Sequence, residues 1–411
     1  MISSHSFRPL LLILPLSLVA TTQVAHAQSL WTVGSPQDPG VDFTSIQAAI
    51  DSAADGDVIR VNFGSYAEDI SIDQKSIVLE AEFFTELDAS ISITNLTSSQ
   101  FVAVQGFSLI GLSAAGQGSQ GAVSIEDCAG AVQLNSLWVR PSLGHAFVVD
   151  NSTNVVLSSV TGEAWAIGFG PSGEFIPSDG LVVRNNSHVW VSGGFDGSFN
   201  PGGAEPLPGG VGVRVENSTL YSSGVKAKGG TGWSNHVAGC LTNGGAGAAF
   251  EITADPGQTA KAHLVSPDLL PGTNGIQDPC APPLPPPPTL VDPQGLASQS
   301  SATPRQMVMG QFSSTGEYVT TVLGEPGDIY WTYLSLTRTG PVDLAGIEGV
   351  LYIDPSTSFL GVADVLPDDG EPTFYNYVHA QPPQVIFGQT LVLGSDGGLF
   401  LTNPGYAVLV P

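Results

Sequence analysis

Acidic and basic side chains that could take part in acid–base chemistry are concentrated in the middle of the chain. The candidate catalytic residues are Glu163, Glu174, Asp179, Asp196, Lys226 and Lys228. Two carboxylates at reaction distance can hydrolyse a glycosidic bond, one as the acid and the other as the base or nucleophile. A lysine could instead remove the proton beside a sugar carboxylate in a lyase reaction. The sequence leaves open which of these reactions, if either, takes place.

Aromatic side chains in the same segments could bind a sugar by stacking. The candidates are Trp165, Phe169, Phe175, Phe195, Phe199 and Trp233. Exposed rings beside acids and glycines suit a polysaccharide, because the apolar faces of sugars lie on the rings while their hydroxyls bind carboxylates. The alternative is that these rings are buried and hold the loops against the body of the protein.

A repeat of aliphatic residues would hold these segments in place. Each anchor residue has an apolar residue two positions before it and a polar residue directly after it, which is the alternation of a strand with one buried face. The anchors are Ile72, Ile93, Ile125, Val149, Val183 and Val215. The intervals between them fit one coil of a β-helix, or one coil with an inserted loop. The repeat therefore predicts parallel strands stacked one above another.

A column of polar residues stands two positions after the anchors. Its members are Gln74, Asn95, Asp127, Asn151, Asn185 and Asn217. We expect these side chains to point inwards as a stacked ladder, in which each amide bonds the next and satisfies the backbone of a buried turn. All four asparagines of this column also match the N-glycosylation sequon. Because an inward ladder excludes sugar attachment, we interpret the sequons as coincidental.

Several segments of the repeat carry a resemblance to a known fold family. FTSIQAAIDSAADGDVIRV at residues 43–61 and the following GSYAEDISIDQKSIVLEAE resemble the start of right-handed parallel β-helix proteins of the pectin-lyase-like superfamily, and GVGVRVENST and GLVVRNNSHVWVSG resemble generic β-helix repeats. The resemblance covers roughly residues 31 to 265. It implies a right-handed coil, with one row of strands flanked by loops forming a groove for an extended polymer.

The same resemblance implies an N-terminal capping helix and leaves the activity open. Apolar residues at helical spacing would cover the open end of the core, and these are Ile46, Ala49, Ile50 and Ala53. Lyases, esterases, hydrolases, tail proteins and adhesins share the fold, so it names no single reaction. Lyases of the superfamily commonly combine a Lys or Arg base with calcium, which makes calcium a possible cofactor.

Composition divides the chain into four segments. Residues 1–27 are predicted to be a cleaved secretory signal peptide, and residues 28–270 the β-helix. Residues 271–304 are predicted to be a linker, because they contain APPLPPPPT, a polyproline II spacer, and a polar stretch expected to be mobile. Residues 305–411 contain short apolar runs separated by Gly, Pro and Asp, which predict a small antiparallel β-sandwich-like domain.

The charge balance and the cysteines limit the partners. The chain has 37 acidic and 11 basic residues and a net charge of −26, which excludes nucleic acid as a partner and disfavours strongly anionic glycans unless calcium bridges them. The acidic turn at residues 368–371 could bind calcium weakly. Cys240 and Cys280 could form a disulfide in an exported protein, whereas Cys128 is expected to be a small buried residue.

Together these features predict an all-β chain: a right-handed parallel β-helix with an N-terminal capping helix, followed by a small antiparallel β-sandwich-like domain. We expect a monomer without a membrane span that is secreted or held at the cell surface. Its expected function is to bind extracellular or cell-surface polysaccharide through loops beside the groove. Two alternatives remain open.

The first alternative is a carbohydrate-active enzyme of the same superfamily, which could be a polysaccharide lyase, a glycoside hydrolase or a pectin-esterase-like protein. The second is a structural surface or adhesion protein in which the coil is a rigid spacer. The final segment FGQTLVLGSDGGLFLTNPGYAVLVP resembles the C-terminal segments of large secreted proteins of planctomycete-type bacteria. That resemblance implies a sorting, attachment or accessory role for this domain.

Overall fold

In a computed structural model, the regular secondary structure of the described residues is almost entirely β-strand. The structure describes residues 28–110, 121–141, 144–164, 168–169, 175–198, 208–232, 235–237, 240–242, 244–274, 284–312, 317–367, 373–377 and 384–409. The predicted signal peptide, residues 1–27, and residues 275–283 of the predicted linker lie outside these ranges.

Between residues 28 and 300, the described part of the chain contains one helix among many short strands. In chain order these are β1 (Leu30–Val33), α1 (Ile46–Ser52), β2 (Asp57–Val61), β3 (Ser65–Tyr66), β4 (Ile70–Asp73), β5 (Ile77–Leu87), β6 (Ile91–Thr94), β7 (Phe101–Ile110), β8 (Gly121–Glu126), β9 (Ala131–Asn135), β10 (Trp138–Arg140), β11 (His145–Asp150), β12 (Val155–Glu163), β13 (Gly168–Phe169), β14 (Phe175–Ile176), β15 (Leu181–Arg184), β16 (His188–Asp196), β17 (Val213–Glu216), β18 (Thr219–Ser223), β19 (Lys226–Lys228), β20 (Asn235–Val237), β21 (Cys240–Thr242), β22 (Phe250–Thr253), β23 (Lys261–Val265), β24 (Asp268–Leu270), β25 (Leu290–Val291) and β26 (Ala297–Ser300).

Most of these strands stack into three parallel rows, one for each side of a coil. Row A consists of β4, β6, β8, β11, β15, β17, β22 and β25. Row B consists of β1, β2, β9, β18, β23 and β26 with the first halves of the long strands β5, β7, β12 and β16. Row C consists of β3, β10, β19 and β24 with the second halves of the same long strands. The predicted right-handed parallel β-helix is confirmed.

The pairing of row A confirms the alignment of the repeat. Ile72 lies opposite Ile93, and the register continues through the other anchors to Val215. Each anchor is at most 1% exposed. Row A goes on beyond the recognised repeat, since β22 pairs with β17 and places Ile252 opposite Val215. The sequence pattern missed this coil because Ala254 replaces the amide of the polar column.

The polar column does not point into the core, so the predicted inward ladder is wrong. Gln74, Asn95, Asp127, Asn151, Asn185 and Asn217 have φ angles between 45° and 58°, and the first five are exposed. Asn and Asp tolerate this left-handed backbone better than other residues with a side chain, which explains why they recur at this corner of the coil. Asn151 Nδ2 donates to Asp127 Oδ1 at 2.7 Å, so neighbouring side chains bond outside the core. Because these asparagines do not point into the core, their orientation is no longer an argument against glycosylation at the four sequons.

A buried ladder does exist beside this corner, and hydroxyl groups form it. The N–H of Cys128 donates to Ser152 Oγ, the N–H of Ser152 to Ser187 Oγ, and the N–H of Ser187 to Ser218 Oγ, each at 3.1 Å. All four residues are at most 2% exposed. Buried turn amides need such partners, and small serines supply them where the larger amides were expected.

The predicted capping helix is confirmed. Ser45 begins α1 by accepting a hydrogen bond from the N–H of Ala48 at 3.1 Å, and Glu68 accepts the N–H of Ile46 at 2.7 Å. Ile46, Ala49 and Ile50 are buried on the first coil. No helix in the described part of the chain is long and apolar enough to span a membrane.

Part of the predicted linker is instead the last coil of the β-helix. The strands β25 and β26 pair in parallel with β22 and β23. The carboxylate of Asp292 closes the turn between them by accepting the N–H groups of Leu296 and Ala297, both at 2.8 Å. The expectation of a mobile segment up to residue 304 is therefore wrong for residues 290–300, because neighbouring strands pair with them.

The rest of the chain forms the C-terminal domain, whose strands pair antiparallel as predicted. These strands are β27 (Gln306–Phe312), β28 (Glu317–Leu323), β29 (Ile329–Ser335), β30 (Arg338–Asp343), β31 (Val350–Ile353), β32 (Phe359–Val365), β33 (Thr373–Tyr377), β34 (Gln384–Leu393), β35 (Leu399–Leu401) and β36 (Gly405–Leu409). β34 is central, since it pairs with β29, β35 and β36.

This domain packs against the outward side of row B. At the first coils it buries Val58 and Val78 against a cluster that contains Met307. Further along, Trp190 packs with Tyr352, and His263 Nε2 lies 3.1 Å from Glu348 Oε1. Outward-facing apolar residues in row B break the strand alternation because a second surface covers them. Row B is therefore closed to a large ligand.

We expect Trp190→Ala to lower the free energy of unfolding by about 3–5 kcal/mol, because the indole is 1% exposed between the two domains. Trp138→Ala is the matched control, since Trp138 is 39% exposed, and it should change stability far less. Urea unfolding measures both variants, and limited proteolysis should release the C-terminal domain from Trp190→Ala first. Equal losses in the two variants would contradict this domain packing.

Candidate functional site

Row C carries its outward side chains in two columns that follow the coil axis, and all of them except the buried Ser108 are at least partly exposed. In register, the first column is Glu86, Ser108, Trp138, Thr161, Gly194, Lys226 and Asp268. The second column is Ile110, Arg140, Glu163, Asp196, Lys228 and Leu270. We refer to these two columns as the row C face. Residues between the columns, such as Val139 and Ala227, point into the core.

Left-handed residues at a second corner turn the chain from row B into row C. They include Gly106, Ser136, Ser159, Gly193 and Gly224. Gly193 has a φ of 140°, and a Cβ atom there would lie 1.9 Å from the carbonyl oxygen of Val160, so only glycine fits. This corner sets where each row C strand begins. The charged residues at the ends of these strands therefore lie side by side, directly before the inserted loops.

Two carboxylates stand side by side on the row C face. Glu163 and Asp196 occupy paired positions on adjacent strands, whose backbones are about 4.8 Å apart. The Nε atom of Arg140 lies 3.7 Å from Glu163 Oε2, and the indole N–H of Trp138 donates to Glu163 Oε1 at 3.4 Å. Glu163 is thus held by a cation and a hydrogen-bond donor from the preceding coil.

The electrostatic setting of Asp196 differs from that of Glu163. Burial raises the pKa of Asp196, the opposing charge of Lys228 on the next coil limits the increase, and the like charge of Glu163 adds to it. Asp196 therefore keeps a proton to a higher pH than an ordinary aspartate does. Acid–base catalysis at a glycosidic bond requires one protonated carboxyl group beside one ionised carboxylate. Asp196, with its raised pKa, and Glu163, with its cationic partner Arg140, match this arrangement.

Side chains of the types that can bind sugars surround this pair. Trp138 is 39% exposed, and its indole offers an apolar face with a polar edge. Lys226 and Lys228 are exposed, and neither forms an ion pair with another described residue. Ile110 and Leu270 extend the apolar surface towards the two ends of the face. The face can therefore bind rings by stacking and hydroxyl or acid groups by hydrogen bonds.

Of the candidate catalytic residues, the structure brings Glu163, Asp196, Lys226 and Lys228 together. It places Asp179 elsewhere: the residue is 1% exposed, and its carboxylate accepts the N–H of Val211 at 2.6 Å and the Nε–H of Arg214 at 2.7 Å. These bonds hold a turn at the start of row A, so Asp179 does not belong to the acid pair. Glu174 lies outside the described residues.

Among the aromatic candidates, the prediction that Phe195 stacks on a sugar is wrong. Phe195 is 0% exposed, and its ring meets that of Phe147 edge to face, with centroids 6.0 Å apart. It occupies the inward position between Gly194 and Asp196, where strand alternation requires burial.

The remaining aromatic candidates stay predictions. The backbones of Phe169 and Phe175 pair in the hairpin of β13 and β14. Trp165, Phe199 and Trp233 lie outside the described residues. Trp138, in contrast, was missed by sequence reasoning because it lies in a plain strand and not in an insertion, whereas Arg140 is one of the few basic residues that the sequence offers near the groove. The signal for Trp138 was present, since it alternates with apolar Leu137 and Val139.

The structure leaves the predictions about calcium and the disulfide as they were. Among the described residues, no three His, Cys, Asp or Glu side chains cluster closely enough to hold a metal ion. The acidic turn at residues 368–371 and Cys280 lie outside those residues, while the backbone of Cys240 is part of β21. Cys128 is buried as expected, and this burial raises the pKa of its thiol.

No family model and no curated protein matches the chain. Among solved structures, the chain is similar to a pectin methylesterase in complex with a hexasaccharide, with 12% identity over 64% of this chain and 93% of that one and a TM-score of 0.27. It is also similar to tailspike protein 2 of the Escherichia coli O157:H7 bacteriophage CAB120, with 11% identity over 94% of this chain and 64% of that one and a TM-score of 0.31.

We expect Glu163→Gln to lower the pKa of Asp196, because it removes a like charge, and Lys228→Met to raise it, because it removes an opposing cation. A raised folded-state pKa stabilises the protein while Asp196 is protonated, so this contribution should be lost as pH rises above 3.8 through the folded pKa. Carboxyl carbon chemical shifts followed against pH measure both effects, with the exposed Asp73 as internal control. Identical titration of Asp196 in all three proteins would show that the groups are not neighbours.

Proposed function

We propose that this protein binds an extracellular polysaccharide along the row C face, with the sugar chain parallel to the coil axis. The carrying observation is the register that places Trp138, the Glu163–Asp196 pair and the two lysines on consecutive coils. The rise from one coil to the next, about 4.8 Å, is close to the length of one sugar unit. Successive sugars can therefore meet successive strands.

The other two rows offer less to such a ligand. Row B is covered by the C-terminal domain along its length. In row A, the guanidinium groups are engaged in ion pairs: Arg184 Nε lies 2.7 Å from Asp150 Oδ2, and Arg214 Nε lies 2.7 Å from Asp179 Oδ2. Row C keeps lysines and an indole face exposed to solvent, and these are the groups from which sugar recognition is built.

The inserted loops support the same face. Row C strands end at Glu163, Asp196 and Lys228, and the insertions that contain the hairpins β13–β14 and β20–β21 follow the first and the last of these residues. The insertions thus begin beside the carboxylate pair, as expected if they border a groove at this face. The overall acidic charge favours neutral sugars, while Lys226 and Lys228 would accept an acid group locally.

Affinity electrophoresis in gels containing xylan, laminarin, alginate or polygalacturonate tests the binding. We expect retardation by at least one of these polymers, and Trp138→Ala should weaken it about tenfold because a stacking ring is lost. Phe359→Ala is the matched control, since Phe359 is 50% exposed on the C-terminal domain, away from the row C face. Undiminished binding by Trp138→Ala, or no retardation in any gel, would overturn the proposal.

A second candidate function, glycoside hydrolysis, is favoured by the pKa of Asp196 and the position of Glu163. Asp196 would give its proton to the glycosidic oxygen, and the leaving sugar would depart as an alcohol. Glu163 would attack the anomeric carbon and form a glycosyl ester, which water activated by Asp196 would then hydrolyse. The strand spacing is near the separation of about 5–5.5 Å between carboxyls in retaining enzymes.

If hydrolysis occurs, the polymer that is bound should release reducing ends. Asp196→Asn and Glu163→Gln should each lower the rate by a factor of about 10² or more while binding persists. Asp51→Asn, on the exposed side of α1, is the matched control and should keep full activity. Nuclear magnetic resonance of the first product should show retained anomeric configuration. Reducing ends released equally by all variants would point to a contaminant and sink this candidate, while leaving the binding proposal intact.

A further inference from the structure

Gly194 leaves a gap in the first column of the row C face, directly before the inward Phe195 and the carboxylate of Asp196. It lies opposite Thr161 on one neighbouring strand and Lys226 on the other. A Cβ atom at this position would meet no atom within 4 Å, and the backbone is not left-handed. The gap is therefore open to solvent, and two polar side chains border it along the coil axis.

The fold does not require a glycine here. Glycine weakens the interior of a strand, and it is found there at bends, at bulges or where a ligand or another backbone approaches closely. The adjacent Gly193 already forms the bend, with its left-handed backbone against Val160. Apart from its two chain neighbours, no residue has an atom within 4 Å of the place where a Cβ of residue 194 would stand. Of the usual reasons for a glycine in a strand, the close approach of a ligand is the one that remains.

Two other described glycines have similar freedom, and each has a local explanation. Gly340 lies in β30 within the irregular register between Arg338 and Val342. Gly245 lies in a loop, where its carbonyl accepts the N–H of Gly209 at 2.9 Å. Gly194 differs from both because it occupies a regularly paired strand position beside the carboxylate pair.

We infer that Gly194 is the floor of a sugar subsite that selects polymers of hexoses or hexuronic acids over polymers of pentoses. The inference rests on the proposed binding function. A pyranose ring lying across the gap would direct an exocyclic carbon group towards the strand backbone, where a side chain would collide with it. The hydroxyl of Thr161 and the ammonium group of Lys226 stand on either side and can donate hydrogen bonds to an oxygen of that group. Pentose rings carry no such group and gain nothing from the gap.

The test substitutes a β-branched residue that suits an exposed strand position. Gly194→Val should leave the melting temperature unchanged or higher, because the position is open and valine favours strands. It should weaken the binding of laminarin and polygalacturonate at least tenfold, because the side chain fills the gap. The wild-type protein should bind xylan more weakly than these polymers. Gly340→Val, an equally open position on the C-terminal domain, is the control and should bind like the wild type.

Each outcome supports or overturns a distinct statement. A lower melting temperature for Gly194→Val would show that glycine is needed for folding and overturn the inference. Wild-type affinity of Gly194→Val for laminarin and polygalacturonate would overturn the subsite while the binding face stands. Xylan bound as tightly as the hexose polymers would overturn the assigned substrate class. A wild-type protein that binds none of the polymers would overturn the proposed function and the subsite together.

Discussion

Each coil of this protein has to turn sharply between its rows of strands, and left-handed backbone makes these turns possible. Asn and Asp recur at the corner between rows A and B, while Gly and Ser recur at the corner between rows B and C. Because strands of successive coils pair in parallel register within each row, inward positions stay inward and outward columns stay aligned. Glu163 lies opposite Asp196 because of that alignment, and not because the two side chains bond each other.

The three rows then take on different roles. Row A uses its outward charges for ion pairs between coils, such as the pair of Arg184 with Asp150. Row B carries apolar residues outward and packs against the C-terminal domain, with Trp190 as the largest buried side chain there. Row C keeps an exposed mixture of charged and aromatic groups. One repeating backbone thus provides an electrostatic surface, a domain interface and a candidate binding face.

The sequence predicted what depends on local patterns and missed what depends on contacts between distant segments. The register from Ile72 to Val215 could be aligned because strand alternation repeats in every coil. The predicted orientation of the Asn column was wrong because Asn and Asp suit both an inward ladder and a left-handed corner. Sequence alone does not distinguish these two structures. The interface at Trp190 and the position of Phe195 depend on which side of a strand another part of the chain covers. The carboxylate pair could be named from the sequence, but its partners Trp138 and Arg140 come from the preceding coil.

The packing of the C-terminal domain changes how a repeat protein of this kind should unfold. A solenoid whose repeats contact only their neighbours can fray from its free end, one repeat at a time. Here a single domain contacts Val58 in the first coils and His263 near the last ones. Loss of the terminal coil therefore strains contacts with the opposite end of the stack. We therefore expect the C-terminal domain to make the coils unfold together as one cooperative unit and not one at a time.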